Sequence, residues 1–135
     1  MPKKGEHIKK AERNLKLSEE DIFNPEKTKY LAWYVTTLFY TAVHYVDSVL
    51  ATISSLPETW SHPRNHKDRD YLVRTVSPLS TVTTEYFVLK EASIKARYYM
   101  YYDTGDPRAR KEAINLIDCV EKIKQTVLEK IQSTN

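Results

Sequence analysis

The spacing of apolar residues between positions 25 and 54 predicts one long helix. Apolar side chains recur there every three or four positions, which places them on one helix face. The positions are Leu31, Val35, Leu38, Ala42, Val46, Val49 and Ile53. Trp33, Tyr40 and His44 lie on the opposite face. A helix with rings on its back is usually covered on both sides, so we expect a central helix or a subunit interface.

Four further helices follow from the same kind of pattern and from capping signals. They are predicted at residues 6–22, 66–75, 78–102 and 107–132. Asn24-Pro25 is expected to start the long helix, because Asn caps and Pro suits the first helical position. The predicted fold is all-α, an antiparallel up-and-down four-helix bundle with one additional short helix.

The overall composition fits a single helical domain over residues 1–135, with residues 1–5 flexible. The chain holds only 2 glycines, which argues against many tight turns. Its 1 cysteine, Cys119, rules out an internal disulfide. No run of 18 apolar residues is present, so no membrane span is expected. We therefore expect a protein of the reducing cytoplasm.

The net charge of +3 is concentrated at the N-terminus. Residues 1–16 contain six Lys or Arg and two Glu, so the rest of the chain is close to neutral. Such a basic arm can contact phosphate backbones, or it can be a solvated first helix. The sequence favours the second interpretation and leaves the first open.

Three histidines in the middle of the chain are candidates for chemistry. His62 and His66 have the spacing of paired metal ligands on a helix, but Pro63 breaks the helix between them. A third ligand would have to be His44, from another helix. We therefore expect no metal and no cofactor.

His66 and Arg69 are three residues apart on the predicted short helix and should share a face. An imidazole for proton transfer and a guanidinium for a phosphate are the minimum for metal-free RNA cleavage. His44, in line with Tyr40 and near Asp47, could transfer a second proton. The alternative is that His44 is a core histidine and that His66 and Arg69 are surface residues.

Arg97 precedes four tyrosines in the predicted fourth helix. They are Tyr98, Tyr99, Tyr101 and Tyr102. Aromatic rings beside a cation can stack on unpaired bases, although such rings more often pack in a core or an interface.

Three segments of the chain resemble proteins of the HEPN-domain superfamily (higher eukaryotes and prokaryotes nucleotide-binding). Residues 33–47, WYVTTLFYTAVHYVD, resemble the second helix of that domain. Residues 62–69, HPRNHKDR, resemble the loop and short helix of a prokaryotic branch. Residues 93–98, SIKARY, resemble a stretch of its later long helix.

The resemblance implies a helical bundle that forms a homodimer through long helices. Many such proteins act in RNA cleavage, toxin–antitoxin pairs or defence, often beside a nucleotidyltransferase-type protein partner. Members with nuclease activity carry an arginine followed four to six residues later by a histidine. No arginine of this chain is followed by a histidine at that distance, so the catalytic assignment does not transfer directly.

Two functions remain from the sequence. The first is a non-catalytic module that binds RNA, a nucleotide or a protein partner. Its candidate binding residues are Tyr40, His62, Arg64, Arg97 and Tyr98. The second is a metal-independent ribonuclease that uses His66 and Arg69, assisted by His44 or Arg97.

Overall fold

The computed structural model describes residues 4–53, 55–57, 61, 63 and 65–133. These residues form five α-helices and no strand, which confirms the all-α prediction. The helices are α1 (Lys4–Ser18), α2 (Leu31–Leu50), α3 (His66–Thr75), α4 (Thr83–Tyr98) and α5 (Pro107–Ser133). Short 3-10 turns lie between α1 and α2 (Asp21–Phe23), between α3 and α4 (Leu79–Val82) and between α4 and α5 (Tyr101–Asp103).

The central element is α2, which packs against α1, α4 and α5. Its predicted core face is buried from Leu31 to Val49, and so are Phe39, Val43 and Tyr45 on other sides of the helix. The helix ends at Leu50 and not at residue 54, so Ile53 lies beyond it and is only partly buried. When apolar side chains surround a helix, all of them can be buried only if other elements of the structure cover every face. The expected central position is confirmed, except at the first turn, where Trp33 is 67% exposed.

The start of α2 was predicted too early, because Asn24-Pro25 forms a turn instead of a helix cap. The Asn24 side chain accepts a hydrogen bond from the Glu26 amide at 3.0 Å, as in an Asx-turn. Arg110 of α5 then donates to the carbonyl oxygens of Pro25 at 2.6 Å and Thr28 at 3.1 Å. These tertiary hydrogen bonds hold the segment outside the helix, which begins at Leu31.

The other helices differ from prediction mainly at their ends. Helix α1 stops at Ser18, so Ile22 lies beyond it and is 59% exposed. Helix α4 stops at Tyr98, because Met100 has a left-handed backbone with φ of 53°. Met100, which falls inside the predicted helix 78–102, lies beyond the end of α4 and is 65% exposed.

The long helices α4 and α5 run antiparallel. The ion pair between Lys95 and Glu112, at 3.6 Å, joins the end of α4 to the start of α5. The pair between Lys122 and Glu85, at 3.2 Å, joins the start of α4 to the second half of α5. This direction agrees with the predicted bundle for these two helices.

The short helix α3 has the bounds expected from the sequence. Asn65 caps it by accepting a hydrogen bond from the Asp68 amide at 2.9 Å. Leu72 and Val73 of α3 are buried in the core. In the described part of the chain, no helix combines the length and the apolar character needed to cross a bilayer.

Candidate functional site

A buried ion pair attaches α3 to the central helix. The Nε of Arg69 donates to Oδ1 of Asp47 at 2.8 Å, and a terminal nitrogen donates to Oδ2 at 3.1 Å. Each of the two residues is only 7% exposed. Two parallel charge-assisted hydrogen bonds of this kind fix orientation as well as distance. The pair therefore sets how α3 lies on α2.

Arg69 uses its remaining donors within the protein as well. Its NH1 group contacts Nδ1 of His66 at 3.3 Å. The terminal nitrogen that donates to Oδ2 of Asp47 also donates to the carbonyl oxygen of Pro63 at 3.2 Å. A phosphate could reach this guanidinium only by displacing partners that already neutralise it. Arg69 therefore acts as a positioning residue for His66.

The contact with Arg69 determines the tautomer of His66. A guanidinium can only donate, so Nδ1 of His66 must accept, and the ring proton then resides on Nε2. The ring packs against Phe39 and Tyr40, with centroid distances of 5.6 Å and 6.4 Å. Burial lowers the pKa of His66, and the charge of Arg69 lowers it further. His66 is therefore a neutral imidazole that offers Nε2–H as a hydrogen-bond donor.

A second acidic residue of α3 neutralises a cation on α4. Asp70 pairs with the ammonium of Lys90. Asp70 also accepts a hydrogen bond from the Tyr86 hydroxyl at 3.3 Å. Burial raises the pKa of Tyr86, so this hydroxyl stays protonated and continues to donate. Asp70 thus links α3 to α4 and compensates the charge of Lys90.

Arg97 differs from Arg69 because its charge is not compensated. Its Nε and NH2 groups donate to the carbonyl and hydroxyl oxygens of Ser93, each at 3.3 Å. Its NH1 group donates to the Tyr40 hydroxyl at 3.4 Å. Arg97 itself is exposed, and no carboxylate of the described residues pairs with it. Neutral oxygens therefore orient a guanidinium whose charge faces solvent.

The Tyr98 ring lies next to the Arg97 guanidinium, 5.3 Å from the ring centroid to Cζ. Tyr98 and Tyr99 are 70% and 72% exposed, whereas Tyr102 is buried and donates to Glu112 at 3.0 Å. The four tyrosines therefore divide between solvent and core. Only the first two are open enough to stack on a ligand.

His44 faces α1 and does not join His66. Its ring is stacked on His7, with 6.0 Å between centroids and 29° between ring planes. Its Nδ1 is buried without a hydrogen-bond partner among the described residues. Burial lowers the pKa of His44, although Asp47 opposes the effect. No hydrogen bond links His44 to His66 or Arg69 in the described part of the chain, although the charges of Asp47 and Arg69 act on the pKa of His44.

The structure thus brings together five of the candidate residues and separates one. Tyr40, His66, Arg69, Arg97 and Tyr98 adjoin through direct contacts. His44 packs towards α1. His62 and Arg64, predicted as binding residues, lie outside the described residues.

Sequence reasoning missed the partner of Asp47 and the role of Ser93. Asp47 was expected to steady His44, whereas its carboxylate binds Arg69. An acid within a helix as apolar as α2 must find a buried cation, so the sequence did contain a signal for this pair. Ser93 lies one helical turn before Arg97, which is the spacing that its hydrogen bonds require.

The described residues contain no group of three His, Cys, Asp or Glu side chains placed to hold a metal ion. No protein-family model, curated protein or solved structure matches the chain. Functional proposals therefore rest on the geometry of this surface and on the sequence resemblance.

Breaking the buried pair should destabilise the protein strongly. We expect Asp47→Asn to lower the free energy of unfolding by about 3–5 kcal/mol, because Arg69 would keep a buried, uncompensated charge. The double variant Asp47→Leu, Arg69→Met should be more stable than Asp47→Asn, because both charges are gone. Urea denaturation measures the free energy of unfolding of the unmodified protein and of the two variants.

Asp106→Asn is the matched control, because the Asp106–Arg108 pair involves an arginine side chain that is 89% exposed. Its unfolding midpoint should stay close to that of the unmodified protein. Similar midpoints for Asp47→Asn and Asp106→Asn would contradict the assigned role of the buried pair.

Stability should fall as the pH is lowered from neutral through about 6.5, the ordinary pKa of histidine. The pKa of His44 is lowered from its ordinary value of 6.5, so the unfolded chain binds a proton at a higher pH than the folded chain. The folded state therefore loses stability as pH falls through the unfolded pKa and on to the folded one. The lowered pKa of His66 acts in the same direction.

Urea denaturation across this pH range tests the effect, with His44→Gln as the comparison. Removing one titrating imidazole should leave a smaller loss of stability on acidification. An unchanged loss in His44→Gln would show that His44 does not contribute to it.

Proposed function

We propose that the protein is a non-catalytic HEPN-like module that binds single-stranded RNA on the surface formed by Tyr40, His66, Arg97 and Tyr98. The observation that carries the proposal is the exposed, uncompensated and oriented charge of Arg97. Arginine in such a position suits a phosphate oxygen, because it needs no reordering before it binds.

The neighbours of Arg97 supply the other contacts that unpaired RNA needs. The exposed Tyr98 ring offers a face on which a base can stack. Nε2–H of His66 is a neutral donor for a phosphate or ribose oxygen. Phosphate contacts give affinity for any RNA sequence, and stacking favours unpaired over double-stranded RNA.

Binding is favoured over proton-transfer chemistry by the state of His66. A general base needs a ring nitrogen without a proton that can reach the substrate, yet Arg69 occupies that nitrogen. Arg69 is itself committed to Asp47 and Pro63. Both members of the sequence-predicted catalytic pair thus have internal roles.

The resemblance adds three expectations to this proposal. They are a homodimer, a nucleotidyltransferase-type protein partner and a place in a toxin–antitoxin or defence system. The exposed aromatic side chain of Tyr99 is compatible with a protein interface. These expectations stay predictions, and light scattering of the pure protein tests the dimer.

Removing the charge of Arg97 should weaken RNA binding by about ten- to a hundredfold, because a charge-assisted hydrogen bond contributes about 1.5–3 kcal/mol. Fluorescence anisotropy with labelled oligouridine measures the dissociation constants of the unmodified protein and Arg97→Gln. The slope of log affinity against log salt should become shallower by about 0.7 in the variant, for one lost phosphate contact.

The matched control is Arg108→Gln, which removes the same charge from a highly exposed arginine that Asp106 already neutralises. Its affinity for oligouridine should stay near that of the unmodified protein. Equal losses in the two variants would mean that net charge, and not the Arg97 surface, determines binding.

A metal-independent ribonuclease is the second candidate, and the observation in its favour is that Tyr40 contacts both the His66 ring and the Arg97 guanidinium, which places an imidazole near an exposed cation. Labelled single-stranded RNA incubated with the protein in EDTA distinguishes the two functions. We expect no cleavage above that of buffer. Cleavage that His66→Ala abolishes would replace the binding function with an enzymatic one; His66→Ala suits this test because it leaves the buried pair of Asp47 and Arg69 in place.

A further inference from the structure

A small pocket adjoins Arg97 between the start of α2 and the end of α4. Its volume is about 260 Å³. That is slightly below the roughly 300 Å³ at which sites for drug-sized ligands begin, so it suits one ring system better than a larger molecule. The lining residues are Ala32, Trp33, Thr36, Ala96, Arg97 and Asp103.

Trp33 gives this pocket an aromatic wall. Its side chain is 67% exposed, although it belongs to the otherwise buried helix α2. The small side chains of Ala32 and Ala96 leave space beside the indole. A flat ring entering this space could stack on Trp33 without displacing other large side chains.

The pocket also carries two opposite charges that are not paired with each other. The Arg97 guanidinium is held by Ser93 and Tyr40. Asp103 is exposed, and no cation of the described residues pairs with its carboxylate. A complementary ligand therefore combines a flat ring with an anionic group for Arg97 and hydrogen-bond donors for Asp103.

We propose that this pocket binds a guanine base of single-stranded RNA, stacked on Trp33, with its N1–H and N2–H groups donating to Asp103 and its phosphate on Arg97. The proposal rests on the RNA-binding function of the same surface and adds a base preference to it. Guanine is the base whose Watson–Crick edge presents two adjacent donors to the two oxygens of a carboxylate. Adenine and cytosine place an acceptor beside their donor, and uracil has a single donor between two acceptors.

The first experiment compares oligouridines that carry one central guanosine or one central adenosine. Fluorescence anisotropy should show about tenfold tighter binding of the guanosine oligonucleotide, the discrimination usual for one bidentate base contact. Asp103→Asn should abolish the preference for guanosine or reverse it in favour of adenosine, because an amide offers one donor and one acceptor. Trp33→Ala should weaken binding of both oligonucleotides, whereas Trp33→Phe should retain most of it.

Asp118→Asn is the matched control for Asp103→Asn, since it makes the same change of charge at an exposed position of α5 outside the pocket. Thermal unfolding followed by circular dichroism should show that both aspartate variants stay folded. The guanosine preference should persist in Asp118→Asn.

Calorimetric titration with 5′-GMP and 5′-AMP separates the failure of this proposal from that of RNA binding. Equal affinities for the guanosine and adenosine oligonucleotides, with Arg97→Gln still weakening both, would overturn the guanine pocket and leave RNA binding intact. Binding of 5′-GMP that Asp103→Asn removes, without binding of any RNA, would support the pocket and overturn the RNA-binding function. Absence of binding to every RNA and both nucleotides would overturn the two together.

Discussion

The placement of α3, and with it of the His66 ring in the candidate surface, depends on the buried pair between Asp47 and Arg69. The two residues are 22 positions apart, and their two hydrogen bonds join α3 to the central helix. Charges this far from water are stable only when paired with good geometry, so the arrangement tolerates little displacement. The same guanidinium contacts His66, and α3 also carries Asp70. One ion pair thus fixes the positions of the groups around it.

Whether a cation is compensated decides what it can do at this surface. Arg69 and Lys90 pair with Asp47 and Asp70 and hold helices together. Arg97, which is oriented only by neutral oxygens, keeps an exposed charge. Residues of the same chemical class are therefore either held in internal ion pairs or left exposed to solvent, according to the acids that the fold brings next to them.

The same contacts are the basis on which we propose one of the two functions that the sequence left open. A ribonuclease site requires an imidazole and a guanidinium that can both contact RNA. In this protein the guanidinium of Arg69 is buried, and it binds the ring nitrogen of His66 that a base would use. Exposed rings beside Arg97 remain, and they supply stacking without chemistry.

The sequence by itself determined the helices and the buried face of α2, because apolar periodicity and capping residues act locally. It predicted the bounds of α3 from Asn65, since a cap needs only the next few residues. It could not place the start of α2, which depends on hydrogen bonds from Arg110, 85 residues after Pro25. Nor could it show that Arg69 is buried and Arg97 uncompensated, because both follow from which helices meet. Tertiary packing alone decides which charged side chains are buried and which carboxylates lie next to them.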